Sequence, residues 1–112
     1  MISAGAGAED EALAFLRHQG LQLLERNYRC RFGEIDLIMK EGATLVFVEV
    51  RMRKNASFGG AAESITARKQ KRIIAAARHY LSQSRVVPNC RFDALLLCPN
   101  QPADWIRDAF GE

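Results

Sequence analysis

The chain has 112 residues, of which 48% are hydrophobic, and a net charge of +3. This length predicts one domain, and the chain has no apolar run long enough to cross a bilayer. Its three widely separated cysteines, without a Cys-x-x-Cys spacing, argue against a disulfide framework and against a zinc site. The first residues lack the basic and apolar regions of a signal peptide, so a cytoplasmic protein that does not contact membranes is expected.

The first half of the chain predicts one helix and three strands. Residues 1–7, in which Met1 and Ile2 are followed by five small residues, are expected to form a flexible lead-in. Apolar residues at helical spacing predict a helix over Ala8–Gln19, and Gly20 is expected to end it. Strands are predicted at residues 21–29, 33–40 and 44–53, with a tight turn at Glu41-Gly42.

The second half predicts a long helix and a fourth strand. Thr66 is a suitable N-cap for a helix that runs to about Gln83, and a strand follows over Arg91–Leu97. Residues 99–112 are expected to be a loosely packed tail, in which 104–110 form one or two helical turns. The order α-β-β-β-α-β over residues 8–98 predicts a single α/β sandwich domain with a central mixed sheet.

Acidic residues interrupt the second and third predicted strands, which are otherwise apolar. Successive side chains of a strand point to opposite faces. Glu34 and Asp36 are therefore expected on one face of the second strand, and Ile35 and Leu37 on the other. In the third strand the same alternation separates Glu49 from its valine neighbours.

If these strands pair as a hairpin, the carboxylates of Asp36 and Glu49 and the guanidinium of Arg51 converge on one patch of the sheet. Such a patch can bind a divalent metal and a phosphate together. The alternative is an ordinary hairpin with one solvated face, in which Glu49 and Arg51 are cross-strand charges. Acidic residues are disfavoured in strands, and their position inside apolar strands favours a site.

Positive charge is concentrated in residues 51–72, which hold seven cations and one acid. A solvated face is one explanation, and an anionic polymer beside the acidic patch is the other. Cations in the first turns of a helix oppose its dipole, whereas a phosphate bound there would offset this cost. The candidate nucleic-acid contacts are Arg53, Lys54, Arg68, Lys69, Lys71 and Arg72.

Gln70 lies at the end of the apolar stripe of the same helix. Its side-chain amide either caps the edge of the core or reaches into the site.

Asp36 followed by Glu49-Val50-Arg51 resembles the motif of PD-(D/E)xK nucleases, which have the restriction-endonuclease-like fold. From about Glu9 to Leu97 the chain also resembles the small bacterial YraN family, a predicted nuclease family. The resemblance implies a three-layer α/β sandwich similar to that of Holliday-junction resolvases. The matching blocks are residues 26–29, 33–38, 46–50, 58–59, 68–70 and 91–93.

The resemblance also implies residue roles and a metal cofactor, Mg²⁺ or Mn²⁺. Glu34 would orient water or a second ion, and Gln70 matches a glutamine that some of these nucleases carry on the next helix. The implied metal ligands are the carboxylates of Glu9, Asp36 and Glu49 and the backbone carbonyl of Val50. The implied catalytic residues are Asp36, Glu49, Arg51, Glu34 and Gln70.

Two positions depart from the family pattern. Arg51 stands in place of the motif lysine, and Ala8 stands where a glycine usually precedes the helix glutamate. Arginine can clamp a phosphate but does not lose its proton. If the lysine acts electrostatically, activity survives; if it transfers protons, the protein is weak or inactive.

Three functions are therefore compared. The first is a metal-dependent endonuclease that hydrolyses phosphodiester bonds of DNA and selects DNA structure. The second is a catalytically weak or inactive nucleic-acid-binding module on the same fold, and the third is an adaptor for an acidic protein. A homodimer is expected for the nuclease, because one small domain covers little of a branched substrate.

Overall fold

A computed structural model describes residues 4–53, 65–85 and 87–111, with side chains from residue 7 onward. The matching block at residues 58–59 and the candidate contact Lys54 lie outside the described residues. Neither described helix is long and apolar enough to cross a membrane. The elements are α1 (Ala4–His18), β1 (Gln22–Cys30), β2 (Gly33–Glu41), β3 (Thr44–Met52), α2 (Ala67–Leu81), β4 (Cys90–Leu97) and β5 (Asp104–Phe110).

The five described strands form one sheet in the order β1-β2-β3-β4-β5. The pairs β1–β2, β2–β3 and β4–β5 are antiparallel, whereas β3 and β4 are parallel. Parallel neighbours need a crossover connection, and α2 lies between β3 and β4 in the chain. The predicted mixed sheet is confirmed.

The two helices cover opposite faces of this sheet. Leu16 of α1 belongs to the core cluster that contains Val46 and Val48 of β3. Ile73 of α2 belongs to the other cluster, together with Phe47 from the opposite face of the same strand. The protein is therefore a three-layer α/β/α sandwich, as predicted.

Both helices differ slightly from their predicted bounds. α1 begins at Ala4, so part of the segment expected to be a flexible lead-in is helical. Thr66 is the N-cap of α2, as predicted, and its hydroxyl accepts a hydrogen bond from the Lys69 backbone N–H at 3.1 Å. α2 ends at Leu81, two residues before the predicted end.

The prediction of a loosely packed tail with helical turns over residues 104–110 was wrong. This segment is strand β5, which pairs with β4. Its aromatic side chains provide the physical reason, because they pack on both faces of the sheet. The Phe110 ring stacks on Phe92 with centroids 5.2 Å apart, and Trp105 meets Phe15 edge-on at 6.1 Å.

A buried carboxylate connects β5 to β4. Asp93 is completely buried and accepts hydrogen bonds from Arg91 Nε, Trp105 Nε1 and the Asp108 backbone N–H, each at 2.9 Å. Such a charge is tolerated only while its donors remain in place. Asp93 therefore holds the final strand on the sheet.

Asp93→Asn is expected to destabilise the fold by about 3 kcal/mol, because an amide group would face donors that now meet a carboxylate. Urea unfolding followed by circular dichroism measures the change. Asp104→Asn, the same substitution at an exposed position of β5, is the control and is expected to be neutral. Equal midpoints for the two variants would contradict this role of Asp93.

Strict side-chain alternation fails in β2, contrary to prediction. Ile35 belongs to the core cluster beneath α2, whereas Leu37, two residues later, belongs to the cluster beneath α1. The β2–β3 register runs only from Leu37 to Glu41. The break in alternation falls at Asp36, which lies just beyond the last paired residue of the β2–β3 ladder, Leu37.

Candidate active site

The centre of the candidate site is a pair of carboxylates from neighbouring strands. Asp36 leaves the β2–β3 ladder, and its Oδ2 accepts a hydrogen bond from the Val50 backbone N–H at 2.8 Å. Its side chain is also hydrogen-bonded to that of Glu49 on β3. Glu49 is only 4% exposed. The predicted convergence of Asp36 and Glu49 is therefore present in the structure.

The environment of the pair favours protonation. Burial, reinforced by the Asp36 charge, raises the pKa of Glu49 from 4.5 to about 8. Burial also raises the pKa of Asp36, although the Val50 N–H stabilises its charged form. Two carboxyl groups in contact share a proton because both cannot be charged without strong repulsion.

Two cations lie beside Glu49. Arg51 Nη1 and Lys69 Nζ are each 3.7 Å from Glu49 Oε2. The convergence of Arg51 with the carboxylates agrees with the sequence prediction. Lys69 was predicted only as a nucleic-acid contact, but the structure places its ammonium group at the carboxylates. Its charge acts to lower the pKa of both Asp36 and Glu49.

Glu9 of α1 lies near the pair. Burial and the charge of Asp36 raise the pKa of Glu9, while a hydrogen bond with Asn27 acts in the opposite direction. Arg26 Nη2 lies 3.8 Å from Glu9 Oε1 and is hydrogen-bonded at 2.7 Å to Asp10. These contacts connect the start of α1 to β1, next to Asp36.

Glu34 and Gln70 have partners of their own. The Glu34 carboxylate forms an ion pair with Arg29 Nε at 2.9 Å and is 39% exposed. Gln70 Nε2 donates to the Ile65 carbonyl at 2.9 Å in a partly buried position. This contact corresponds to the first interpretation of Gln70, a polar group that caps the edge of the core.

The predicted basic residues are mostly solvent-exposed. Arg53 is partly buried at the end of β3, and its backbone N–H donates to the Leu97 carbonyl at 2.8 Å. Three of the predicted nucleic-acid contacts lie in the first turns of α2 with Lys69 and are exposed. These residues are Arg68, Lys71 and Arg72.

The donor set can be compared with the requirements of a hard divalent cation. Within residues 4–53, 65–85 and 87–111, no group of three or more His, Cys, Asp or Glu side chains is arranged to hold a metal. Glu9 therefore does not complete a three-carboxylate cluster with Asp36 and Glu49 in this arrangement. Mg²⁺, however, is typically held by one or two carboxylates together with water and substrate phosphates. The contacting Asp36–Glu49 pair fits that requirement.

The chain matches the model of the uncharacterised protein family UPF0102 over residues 8–97. The chain belongs to UPF0102. Relatives include a UPF0102 protein of Nitrosomonas eutropha, 58% identical over 108 residues, covering 96% of this chain and 93% of that protein. A Nitrosospira multiformis UPF0102 protein is 60% identical over 108 residues, covering 95% and 91%. The resemblance recognised in the sequence is confirmed.

The UPF0102 chain also resembles a solved structure. This is Hjc, a Holliday junction resolvase of Archaeoglobus fulgidus, with a TM-score of 0.63 and 19% sequence identity. The match covers 94% of the UPF0102 chain and 73% of the resolvase chain. At this identity the likeness shows the fold alone, and it confirms the restriction-endonuclease-like architecture.

Proposed function

We propose that this UPF0102 protein is a metal-dependent endonuclease that hydrolyses phosphodiester bonds of DNA and prefers branched structures. The observation that carries the proposal is the pairing of the partly buried Asp36 with the buried Glu49, together with two cations 3.7 Å from Glu49. Carboxylates and cations at one place match the two needs of phosphodiester hydrolysis, metal binding and stabilisation of phosphate charge. The fold that the chain shares with a Holliday junction resolvase also supports a nuclease that acts on DNA.

In this proposal the carboxylates of Asp36 and Glu49 would hold Mg²⁺ or Mn²⁺. Glu9, which does not form a cluster with them in the described arrangement, and the Val50 carbonyl are proposed as further ligands. The bound ion would supply a water of lowered pKa and a Lewis acid for the phosphate. The Val50 N–H keeps the Asp36 carboxylate oriented, since this hydrogen bond fixes one of its oxygens. Deprotonation of the pair is required before a cation binds, and the Lys69 ammonium favours that step.

Arg51 and Lys69 have different chemistry in the same place. Arg51 is 42% exposed at its side chain, so its guanidinium can bind a phosphate that approaches Glu49. Lys69 is a compact charge held at the first turn of α2, where Thr66 fixes the backbone. We propose that the two together replace the single lysine of the nuclease motif.

The substrate and metal are tested with purified protein and labelled DNA. Four-way, flapped, single-stranded and duplex molecules of the same sequence are incubated with Mg²⁺, Mn²⁺ or EDTA. Metal-dependent cutting, fastest on a branched molecule, is expected. Size-exclusion chromatography with light scattering tests the proposed homodimer on the same preparation. Absence of cutting with every substrate and metal would contradict the nuclease proposal.

The second candidate is a nucleic-acid-binding module without turnover, and the replacement of the motif lysine by Arg51 favours it. This candidate predicts DNA binding that weakens steeply with salt, is independent of divalent metals and survives Asp36→Asn. Salt-dependent binding without cleavage by the wild type would identify it. Metal-dependent cleavage would exclude it.

Lys69→Ala is expected to reduce the single-turnover cleavage rate by roughly 100-fold, because it removes preorganised positive charge beside the reacting phosphate. Lys71→Ala removes an exposed cation from the same helix and is the matched control. The control should weaken DNA binding while leaving the rate at saturating DNA within about twofold. Equal effects of both variants on that rate would show that Lys69 is only a binding cation.

A further inference from the structure

The turn between β1 and β2 lies directly against α2. A Cβ atom at Gly33 would be 3.0 Å from the Arg72 backbone oxygen, so a larger residue would push the turn away from the helix. The neighbouring Phe32 ring lies 5.6 Å from the His79 ring of the same helix. The turn is therefore held by two contacts with α2, at Arg72 and at His79.

An aromatic ring is partly exposed to solvent at this turn. Phe32 is 39% exposed. Among the described residues, the other exposed large hydrophobic side chains are aliphatic or belong to methionine. The Arg31 guanidinium lies 4.8 Å from its ring centroid. Arg29, nearby at the end of β1, is 75% exposed at its side chain. Arg29 pairs with Glu34 at 2.9 Å, so the turn presents an aromatic ring with one guanidinium, that of Arg31, directly beside it.

The turn and the carboxylate pair are aligned along one helix. Lys69, Arg72 and His79 lie three and seven residues apart and thus share one side of α2. Lys69 reaches Glu49, and His79 reaches Phe32. Ten residues at 1.5 Å each separate these contacts by about 15 Å along the helix axis. The exposed Arg68, Lys71 and Arg72 lie on the same helix.

We propose that this turn is a stacking platform for an unpaired base of the nucleic-acid substrate. The phosphate backbone would follow the cations of α2, and a base would stack on Phe32 or the Arg31 guanidinium. A separation of about 15 Å corresponds to about four nucleotides at about 3.4 Å per stacked nucleotide. The substrate class is thus nucleic acid with a short single-stranded segment next to the scissile bond.

The combination of ring and cations favours unpaired bases over continuous duplex. Proteins that bind single strands combine a positive track with exposed aromatic rings, because every unpaired base offers a π-face. In a duplex these faces are already stacked on one another, and phosphate contacts need no aromatic ring. The stacking platform specifies the substrate of the proposed nuclease. It rests on the proposed function, because the position of the scissile bond is taken to be at Asp36 and Glu49.

The test measures binding in EDTA, so that it is independent of cleavage. Fluorescence anisotropy gives the affinities of wild type, Phe32→Ala, Phe32→Leu and Phe32→Trp for a 12-nucleotide single strand and for a blunt duplex. Phe32→Ala and Phe32→Leu are expected to weaken single-strand binding by about 5- to 150-fold, with little change for duplex. Phe32→Trp is expected to retain wild-type affinity.

Leu24→Ala removes another exposed hydrophobic side chain, 44% exposed on β1, and is the matched control with no expected effect on binding. Circular dichroism establishes that each variant is folded. Retained single-strand affinity in Phe32→Ala, or equal losses for single strand and duplex, would overturn the inference. If Phe32→Ala selectively loses single-strand affinity but the wild type never cleaves DNA, the stacking platform is supported and the nuclease proposal is refuted. Failure of the stacking proposal and failure of the nuclease proposal therefore give different results.

Discussion

Asp36→Asn is expected to reduce metal-dependent DNA cleavage by roughly 1,000-fold or more, because it removes charge from the proposed cation site. The amide can retain an acceptor for the Val50 N–H, which is now bonded to Asp36 at 2.8 Å. The fold should therefore survive the substitution. Cleavage of a labelled branched DNA under single-turnover conditions measures the loss, and Glu49→Gln should behave in the same way.

Asp108→Asn provides the matched control for Asp36→Asn. Asp108 is exposed on β5, and its backbone N–H, not its side chain, bonds to Asp93. Its φ of 54° is well tolerated by asparagine. The control should cleave at the wild-type rate. Equal cleavage by wild type, Asp36→Asn and Glu49→Gln would assign the activity to a contaminant and contradict the nuclease proposal.

The free energy of unfolding in metal-free buffer is expected to fall as the pH rises from about 4.5 to about 8. Burial and Asp36 raise the pKa of Glu49 from 4.5 to about 8 in the folded protein. Within this interval the folded chain binds more protons than the unfolded chain, so stability present below pH 4.5 is lost. The full interval corresponds to at most about 5 kcal/mol.

Glu49→Gln tests this pH dependence because glutamine does not ionise. The variant should lose much less stability than wild type over the same interval, and above pH 8 it should be the more stable protein. Urea unfolding at several pH values, with EDTA present, measures both curves. Asp108→Asn should follow the wild-type curve. Parallel curves for wild type and Glu49→Gln would show that Glu49 ionises normally in the folded state.

The layered fold was largely predictable from local patterns. Helical spacing identified both helices, Thr66 identified the start of α2, and apolar runs identified four strands. The fifth strand was missed because Pro99 and Pro102 are typical of a loosely packed tail, within which residues 104–110 were expected to form helical turns. Its strand conformation depends on contacts with Asp93 and Phe92 on β4, which no local pattern reveals.

The carboxylate pair was predictable because acids inside apolar strands are costly without a role. The break in alternation at Asp36 was not, since it arises from the end of the β2–β3 pairing. Lys69 was counted among several basic residues, and composition alone does not tell which of them points inward. Its position follows from the Thr66 cap and from the packing of α2 on β2, and this packing is visible only in the tertiary structure.

Mn²⁺ binding followed by electron paramagnetic resonance is the most direct test of a cation site at Asp36 and Glu49. We expect wild type and Asp108→Asn to bind Mn²⁺ above pH 8, with displacement by Mg²⁺ and weakening as the pH falls and the pair gains its proton. Asp36→Asn should lose this binding. Absence of binding in wild type, or equal binding in Asp36→Asn, would contradict a metal-dependent nuclease centred on these carboxylates.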